Sequence, residues 1–146
     1  MFLDGVMRAQ TDDIDLTDSI TEMVKNSPHC QQIRVLLLHD ELLGEGVQVD
    51  LLRLSERIKK PIIVMHTQEY SRRDEHPSQG IEEAKIRLGG KDISASLLGV
   101  APKVAERVMQ AVTREETMPE ALRVARIIAS AVEEASCISF KSDSKC

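Results

Sequence analysis

The chain has 146 residues, of which 42% are hydrophobic, and its formal net charge at pH 7 is −5. A chain of this size can bury one core, so we expect a single domain over residues 1–136 and a frayed C-terminal tail over residues 137–146. The negative charge argues against nucleic-acid coat proteins and membrane-surface proteins, which are usually basic. Because only 2% of the residues are aromatic, few rings can stack on bases, and any binding of DNA or RNA is expected to be weak.

Cysteine usage and the apolar runs indicate a compartment. Three cysteines without a disulfide spacing are typical of a reduced intracellular protein. No apolar run reaches the ~20 residues of a membrane-spanning helix, and the N-terminus lacks the pattern of a secretory signal. We therefore expect a cytoplasmic protein that does not contact membranes.

The N-terminal part predicts a strand over residues 1–9, followed by a helix. A polar segment leads into this helix, which Asp15 or Thr17 can cap. Four apolar residues recur at helical spacing and predict the buried face of the helix. They are Leu16, Ile20, Met23 and Val24.

Two apolar runs then predict a βαβ unit. Ile33–Leu38 and Pro61–His66 have the composition of buried, adjacent, parallel strands. The segment between them begins with Asp50, a suitable N-cap, and predicts the crossover helix. The polar segment Thr67–Gly80 contains a proline and a glycine and is predicted to be a surface loop.

The remaining chain predicts a short helix, a strand and two longer helices. GIEEAKIRLGG, residues 80–90, is expected to form the short helix, and DISASLLGV, residues 92–100, a strand at the edge of the sheet. The apolar stripe of the next helix is predicted to consist of Val104, Val108, Ala111 and Val112.

The last helix carries a strong start signal. Thr117 and Glu120 have the spacing of a capping box, with Pro119 between them in the first turn. We expect Thr117 to cap the helix. Its apolar face, including Val124, Ile128 and Val132, is expected to be buried against the sheet.

VLLLHDELLGEG, residues 35–46, ends a buried strand with a histidine and two carboxylates. His39, Asp40 and Glu41 would lie at the carboxyl-terminal edge of a parallel sheet, where α/β folds place their ligands. A divalent metal ion accepts such oxygens and a neutral imidazole. The alternative is the ordinary polar end of a strand, and a His-Asp pair alone does not decide between the two.

Acidic residues also cluster before the first predicted helix. Asp12, Asp13, Asp15 and Asp18 lie within seven residues and could supply a metal ligand. Carboxylates at a helix N-terminus are favourable on electrostatic grounds alone. Helix capping therefore explains most of this cluster without any chemistry.

Four cations are the candidate nucleic-acid-binding residues. Lys59, Lys60, Arg72 and Arg73 could meet as a phosphate-binding patch if the loop after the second strand folds back. The alternative is an ordinary solvated surface. Near the same loop, His66 is expected to have no specific role.

Several common enzyme motifs are missing from the sequence. It contains no Walker loop, no G-x-G-x-x-G after a strand, no G-x-S-x-G elbow and no Cys/His spacing for zinc. Nucleotide-driven enzymes, serine hydrolases of the α/β-hydrolase type and zinc fingers are therefore disfavoured.

The order of the segments resembles an archaeal family, the domain of unknown function ninety-nine, which is similar to endonuclease V. The likeness runs from LDGV, residues 3–6, to PEALRVARIIASAV, residues 119–132. PEALRVA is its most specific part. DLTDSITEMV, residues 15–24, and the predicted βαβ unit match the family in order and spacing.

The resemblance implies a ribonuclease-H-like, endonuclease V-like α/β fold, with a mixed sheet flanked by helices. It also implies a chain truncated at the N-terminus, because the family's first strand, with its isoleucine–aspartate–aspartate–glycine pattern, has no counterpart before LDGV. In endonuclease-V-like enzymes, carboxylates hold Mg²⁺ for phosphodiester hydrolysis. Endonuclease V itself cuts near deaminated bases.

Asp12 matches the acidic residue that precedes the family's first helix. The aspartate at the family's strand end is replaced by His39, and Asp40 follows one position later. A shift of one residue turns a strand's side chain to the opposite face. Asp12 and Asp40 are thus the candidate catalytic residues, and Asp12, Asp40 and His39 the candidate Mg²⁺ ligands, in what looks like the altered remnant of a carboxylate site.

Two functions follow from this resemblance. The chain is expected to be a degenerate, non-catalytic member that works as a binding or assembly module. The alternative is a Mg²⁺-dependent endonuclease that acts on deaminated or structured nucleic acid. A partner copy could fill the sheet position of the missing strand, so a homodimer through strand addition is also expected.

Overall fold

The structure is a computed structural model, and it describes residues 5, 7, 15–40, 49–66, 79–114 and 117–143. Of the last range, side chains are described over residues 117–132 and at residue 135. Most of the strand predicted over residues 1–9 and of the loop predicted over residues 67–80 lies outside these ranges.

In the residues that the structure describes, four strands form one mixed sheet in the order β1-β2-β4-β3. β1 (Leu36–His39) and β2 (Ile62–Met65) are parallel. β3 (Glu82–Leu88) and β4 (Lys91–Leu98) form an antiparallel hairpin, and β4 also pairs antiparallel with β2. The predicted parallel pair is confirmed, as is an α/β fold with a mixed sheet flanked by helices. The ribonuclease-H-like class stays a prediction.

The described ranges contain four helices, and α2 is the predicted crossover between β1 and β2. They are α1 (Leu16–Asn26), α2 (Leu51–Ile58), α3 (Pro102–Val112) and α4 (Glu120–Asp143). Within these same ranges, no helix combines the length and the apolar character that crossing a bilayer would require.

Asp15 and Asp50 are the N-caps of α1 and α2. Asp15 Oδ1 accepts a hydrogen bond of 2.9 Å from the Thr17 N–H, and Asp50 Oδ1 accepts one of 3.0 Å from the Arg53 N–H. Such caps satisfy N–H groups that the first helical turn leaves unpaired, and each contributes about 1 kcal/mol. Asp15, one of the two predicted caps of α1, is therefore the residue that performs this role.

The core has one layer on each face of the sheet. Successive residues of a strand point to opposite faces, so β2, whose four residues are all buried, contributes to both layers. The layer beneath α1 and α2 contains Val24, Leu38, Leu51, Leu54, Ile58, Ile62, Val64 and Leu98. The layer on the α3 side contains Ile63, Met65, Ile86, Leu88, Ala95, Leu97, Ala105 and Met109.

Residues 80–90, predicted to be a short helix, instead form β3 and the turn into β4. Gly89 and Gly90 have φ values of 54° and 79°, the left-handed conformation that a two-residue hairpin turn requires. Along β3, Ile86 and Leu88 are buried while Arg87 between them is exposed, which is the period of a strand. The hairpin also places β4 between β2 and β3, so the predicted edge position of this strand was wrong.

α3 buries a different stripe from the predicted one. Ala105 and Met109 are fully buried, whereas Val104 is 51% exposed. Residues four apart lie on one face of a helix, and this pair belongs to the core layer that also contains Ile86 of β3. The prediction chose the β-branched residues Val104 and Val108, but the buried face is formed by the residues that follow each of them, Ala105 and Met109.

α4 begins two residues later than its capping signal suggested. Pro119 precedes the helix, and its carbonyl oxygen accepts a hydrogen bond of 3.0 Å from the Arg123 N–H. Pro119 therefore occupies the cap position, and the prediction that Thr117 caps the helix was wrong. A proline fits there because its missing N–H would have had no helical partner.

α4 lies against β1 but is less buried than predicted. Val124, Ile128 and Val132 are half-buried, and Ile127 is 54% exposed. The helix continues to Asp143, into the segment predicted to be a tail. The predicted division of the chain at residue 136 stays a prediction.

Candidate functional site

β1 and β2 both end in polar residues at the same edge of the sheet. His39 is the last residue of β1 and Asp40 follows it, while His66 follows the last residue of β2. Parallel strands end at a common edge, which we call the carboxyl-terminal edge. The three side chains therefore meet where α/β sheets bind their ligands.

Five side chains, His39, Asp40, His66, Glu83 and Ser96, form a connected polar cluster at this edge. Asp40 lies between two imidazoles: its Oδ1 is 3.4 Å from His39 Nδ1, and its Oδ2 is 3.8 Å from His66 Nδ1. On the other side of its ring, His66 Nε2 is 2.7 Å from Ser96 Oγ. The Ser96 hydroxyl donates a hydrogen bond of 2.7 Å to Glu83 Oε1. The cluster thus links the ends of β1 and β2 to the β3–β4 hairpin.

The polar cluster runs from the protein interior to solvent. Ser96, His66 and His39 are only 2%, 7% and 8% exposed. The side chains of Asp40 and Glu83 are 17% and 47% exposed. An unpaired polar group at such depth costs about 1–3 kcal/mol, so the hydrogen bonds that Ser96 Oγ makes with His66 Nε2 and Glu83 Oε1 stabilise these buried atoms. Glu83 is the member that reaches the surface.

The starts of α1 and α2 lie at the same edge. α2 connects the end of β1 to the start of β2, so its first turn is next to the polar end of β1. The Asp50 N–H donates a hydrogen bond of 3.0 Å to Thr17 Oγ1, which brings the first turn of α1 to the same place. The starts of α1 and α2 are therefore joined to each other at this edge.

An ion-pair group holds α1 and α2 together. Arg53 donates to Asp15 Oδ2 at 2.6 Å and to Asp18 Oδ1 at 2.7 Å, and Arg57 also binds Asp18. The hydrogen bond from Arg53 holds the pKa of Asp15 below its ordinary value of 3.8, and the same contact raises the pKa of Arg53. These two carboxylates are thus paired with arginines of the neighbouring helix.

The structure brings together two of the three predicted metal ligands. His39 and Asp40 are in contact at the carboxyl-terminal edge. Asp12, the third, lies outside the described residues, so its catalytic and metal-binding roles stay predictions. α1 begins four residues after Asp12, at the same edge.

The predicted nucleic-acid-binding residues are divided between described and undescribed parts of the chain. Lys59 and Lys60 connect the end of α2 to the start of β2, at the sheet edge opposite the polar cluster. Lys59 has a φ of 56°, and its N–H donates to the Ser55 carbonyl as the C-cap of α2. Arg72 and Arg73 lie outside the described residues, so the phosphate-binding patch stays a prediction.

The donor atoms of the polar cluster suit Mg²⁺ poorly. Mg²⁺ prefers an octahedral set of oxygen ligands, but each carboxylate oxygen of Asp40 faces an imidazole nitrogen. Within the described ranges, no group of three His, Cys, Asp or Glu side chains is arranged to hold a metal ion. The residues that the structure describes therefore do not by themselves make the predicted Mg²⁺ site.

Sequence reasoning missed three members of the polar cluster. His66 follows PIIVM as His39 follows VLLL, and two parallel strands that each run into a histidine are a signal that could have joined them. Ser96 and Glu83 carried no comparable signal. Their contact depends on the β3–β4 register, in which Glu83 is opposite Ser96, and residues 80–90 had been predicted to be helical.

Comparisons with known proteins identify the family. A UPF0215 protein from Methanothermobacter thermautotrophicus is 32% identical over 148 residues, covering 90% of this chain and 72% of the relative. One from Methanosarcina acetivorans is 28% identical over 150 residues, covering 90% and 76%. A crystal structure of a protein of unknown function from Archaeoglobus fulgidus superimposes with a TM-score of 0.67 at 26% identity, covering 85% of this chain and 78% of that one.

These relatives confirm the expected likeness to an archaeal, endonuclease-like family. The sequence model of the family described as endonuclease dU matches residues 2–133, which is most of the chain. The match includes all four strands and the first half of α4. The chain therefore belongs to the endonuclease dU family.

Proposed function

We propose that this chain is a non-catalytic member of the endonuclease dU family that works as a binding module for deoxyuridine-containing DNA. The family's description supplies the ligand class. One observation supports the loss of catalysis. His39 stands at the strand end where the family resemblance has an aspartate, and its imidazole contacts the carboxylate of Asp40.

The exchange of a carboxylate for an imidazole changes the chemistry of this edge. Two facing carboxylates would repel each other and attract a hard cation such as Mg²⁺. An imidazole beside a carboxylate removes that repulsion, since it can donate a hydrogen bond to the carboxylate. His39 therefore satisfies the Asp40 carboxylate from within the protein and weakens the attraction for a cation.

Binding of nucleic acid is expected to be weak. The chain carries a net charge of −5, and each phosphate contact has to come from a local group of cations. Lys59 and Lys60, with Arg72 and Arg73, remain our candidates for that group. A site that relies on so few cations binds non-specific DNA with Kd values on the order of 10⁻⁴–10⁻⁶ M at physiological salt.

The alternative function is a Mg²⁺-dependent endonuclease that acts on deaminated or structured nucleic acid. It is favoured by the family description and by the position of Asp40 and His66 at the ends of two parallel strands, where α/β folds place active sites. In this alternative, Asp12 would join Asp40 as a metal ligand.

One experiment separates the two functions. Fluorescence anisotropy would measure the binding of a duplex with one deoxyuridine and of the matched thymidine duplex. Gel electrophoresis would follow cleavage of the same duplexes with Mg²⁺ or Mn²⁺. We expect weak binding that prefers the deoxyuridine duplex, and no cleavage. Cleavage that disappears in Asp40→Asn would establish the alternative, and the absence of binding to either duplex would overturn the binding module.

The candidate cations are tested by the salt dependence of the same binding. Each phosphate contact contributes a slope of about −0.9 to log K against log salt concentration. If Lys59 and Lys60 each bind a phosphate, Lys59→Ala and Lys60→Ala should each make the slope shallower by about that amount. Lys103→Ala, which removes an exposed lysine from α3, is the matched control and should leave the slope unchanged.

A homodimer through strand addition is a further part of the proposal. In the part of the sheet that the structure describes, β1 lies at the edge and pairs with β2 on one side. A strand from a second copy could pair with its other side. Sedimentation analysis across protein concentrations tests this, and a monomer at all concentrations would remove it.

A further inference from the structure

Three members of the polar cluster, a serine hydroxyl, an imidazole and a carboxylate, lie in a row. Ser96 Oγ is 2.7 Å from His66 Nε2. The opposite nitrogen of the same ring, Nδ1, is 3.8 Å from Asp40 Oδ2. A hydroxyl within hydrogen-bond reach of an imidazole, with a carboxylate behind the ring, is the geometry by which nucleophilic serines are recognised on unrelated folds.

We propose that Ser96, His66 and Asp40 form a nucleophilic relay that hydrolyses neutral carboxylic esters. Ser96 is the nucleophile, His66 the general base, and Asp40 the positioning residue that orients the imidazole. This activity goes beyond the proposed function, because it requires neither a metal ion nor a nucleic acid. It uses Asp40, whose Oδ2 is 3.8 Å from His66 Nδ1, to orient the imidazole instead of to hold a metal ion.

Three different strands of one sheet position these residues: Ser96 lies within β4, and Asp40 and His66 directly follow β1 and β2. β4 lies between β2 and β3. The backbone N–H of His66 donates a hydrogen bond of 3.0 Å to the Ser94 carbonyl oxygen, which fixes His66 beside β4 at the end of β2. Sites built on strand ends of one sheet keep their geometry better than sites on loops, and the His66–Asp40 distance is of the kind that tightens when a substrate binds.

Glu83 controls the reactivity of Ser96. The Ser96 hydroxyl has a single proton, which it donates to Glu83 Oε1 in the structure. While that bond exists, the proton is not available to His66. Glu83 is bonded to Ser96, which is itself 2% exposed, whereas the Glu83 side chain is 47% exposed. A turn of the Glu83 carboxylate away from Ser96 would let the hydroxyl proton turn to His66.

The charges near Ser96 select the class of ester. Asp40 and Glu83 place two carboxylates around the Ser96–His66 pair. Like charges repel strongly in a partly buried site, so an anionic phosphodiester is disfavoured there. A neutral carboxylic ester meets no such repulsion, and this argues for acyl transfer at Ser96.

The proposed reaction has two balanced steps. Ser96 Oγ attacks the carbonyl carbon as His66 Nε2 takes its proton; the carbon–oxygen bond to the leaving alcohol then breaks, and His66 returns the proton to that alcohol. Water next attacks the acyl-serine with its proton passing to His66, and the acid leaves as Ser96 recovers its proton. No oxidant, reductant or further reactant is needed.

The test uses the full chain with two probes, p-nitrophenyl acetate and a fluorophosphonate, and maps the labelled residue by peptide mass spectrometry. We expect slow labelling of Ser96 in the parent and labelling at least about tenfold faster in Glu83→Ala, which frees the hydroxyl proton. Ser96→Ala and His66→Ala should lose labelling and esterase activity. Ser130→Ala, which removes an exposed serine hydroxyl from α4, is the matched control and should behave as the parent.

The role of Asp40 is tested separately by conservative exchange. Asp40→Asn should lower the labelling rate, and Asp40→Glu, which keeps the carboxylate, should restore part of it, while circular dichroism shows the same fold in both. Absence of a Ser96 adduct in both the parent and Glu83→Ala, or labelling of another residue only, would overturn the proposal. Anisotropy with the deoxyuridine duplex should not change in Ser96→Ala, so the result for the relay does not depend on the result for DNA binding.

Discussion

The side-chain oxygen of Thr17 accepts a hydrogen bond from the backbone N–H of Asp50, across 3.0 Å and 33 positions of sequence. Thr17 is only 1% exposed, and its carbonyl in turn accepts a 2.7 Å hydrogen bond from the Thr21 hydroxyl. This contact joins the first turn of α1 to the N-cap of α2. It therefore sets the position of both helix starts at the edge of the sheet that carries the polar cluster.

Thr17→Val should destabilise the protein by about 1–3 kcal/mol, because it removes one buried hydrogen-bond acceptor while keeping the shape of the side chain. Urea denaturation would measure the loss as a lower midpoint. Thr17→Ser keeps the hydroxyl and is the matched control. Equal midpoints for the valine variant and the parent would show that the contact contributes nothing to stability.

Leu54 and Leu52 provide a test of the core on a single helix. Both residues belong to α2. Leu54 is fully buried, whereas Leu52 is 37% exposed. Leu54→Ala should cost about 2–5 kcal/mol, since it leaves a cavity in the layer that also contains Val64 and Leu98. Leu52→Ala should cost far less, because most of its neighbourhood is solvent. Similar losses in the two variants would contradict the packing of α2.

The parts of the fold that followed from sequence are those with strong local chemistry. A continuous apolar run predicts a strand covered on both faces, and β1 and β2 are such strands. Asp15 and Asp50 predict helix starts because their side chains can satisfy free N–H groups, which is a local interaction. Neither prediction depends on what the rest of the chain does.

The errors arose where a distant contact decides the structure. Residues 80–90 have a composition that fits a helix or a strand, and pairing with β4 decides for the strand. Glu83 and Ser96 meet through that pairing alone. For the same reason, the sequence predicted His39 and Asp40 as a site but gave His66 no role, since their contact is a consequence of the β1–β2 register.

The turn between β3 and β4 gives a prediction about backbone conformation. Gly90 has a φ of 79°, and a Cβ added there would meet no atom within 4 Å. Gly90→Ala should therefore cost about 1–2 kcal/mol from backbone conformation alone. Gly89→Asn creates an Asn-Gly turn, which two-residue hairpins favour, and should leave stability unchanged or raise it. Thermal denaturation of the two variants would compare them, and a larger loss for the asparagine variant would contradict the turn.

The Arg53–Asp15 pair predicts a dependence of stability on acid. The pKa of Asp15 in the folded protein lies below its ordinary value of 3.8 because Arg53 donates a hydrogen bond to it. A lowered folded-state pKa means that the stabilisation is complete above the unfolded-state value and is lost as the pH falls through the folded-state value. In the parent, the urea midpoint should fall as the pH is lowered below 3.8, the ordinary pKa of Asp15. In Arg53→Gln, this fall should be smaller.

The control for this prediction is an arginine that does not bind Asp15. Arg107, an exposed residue of α3, is suitable, and Arg107→Gln should show the acid dependence of the parent. Asp15→Asn should show the reduced dependence of Arg53→Gln, since either change removes the pair. Parallel pH profiles for all four proteins would mean that the pair does not contribute.

The last prediction concerns the cation affinity of the carboxyl-terminal edge. Affinity for hard divalent cations rises with the number of carboxylate ligands, and His39 occupies a position beside Asp40 where a carboxylate would add one. In calorimetric titration with Mn²⁺, we expect weak binding or none for the parent and at least about tenfold tighter binding for His39→Asp. Asp40→Asn and the double change His39→Asp with Asp40→Asn should both lose it. If the parent binds Mn²⁺ as tightly as His39→Asp does, the histidine has not weakened the site, and the endonuclease alternative becomes the better account of this chain.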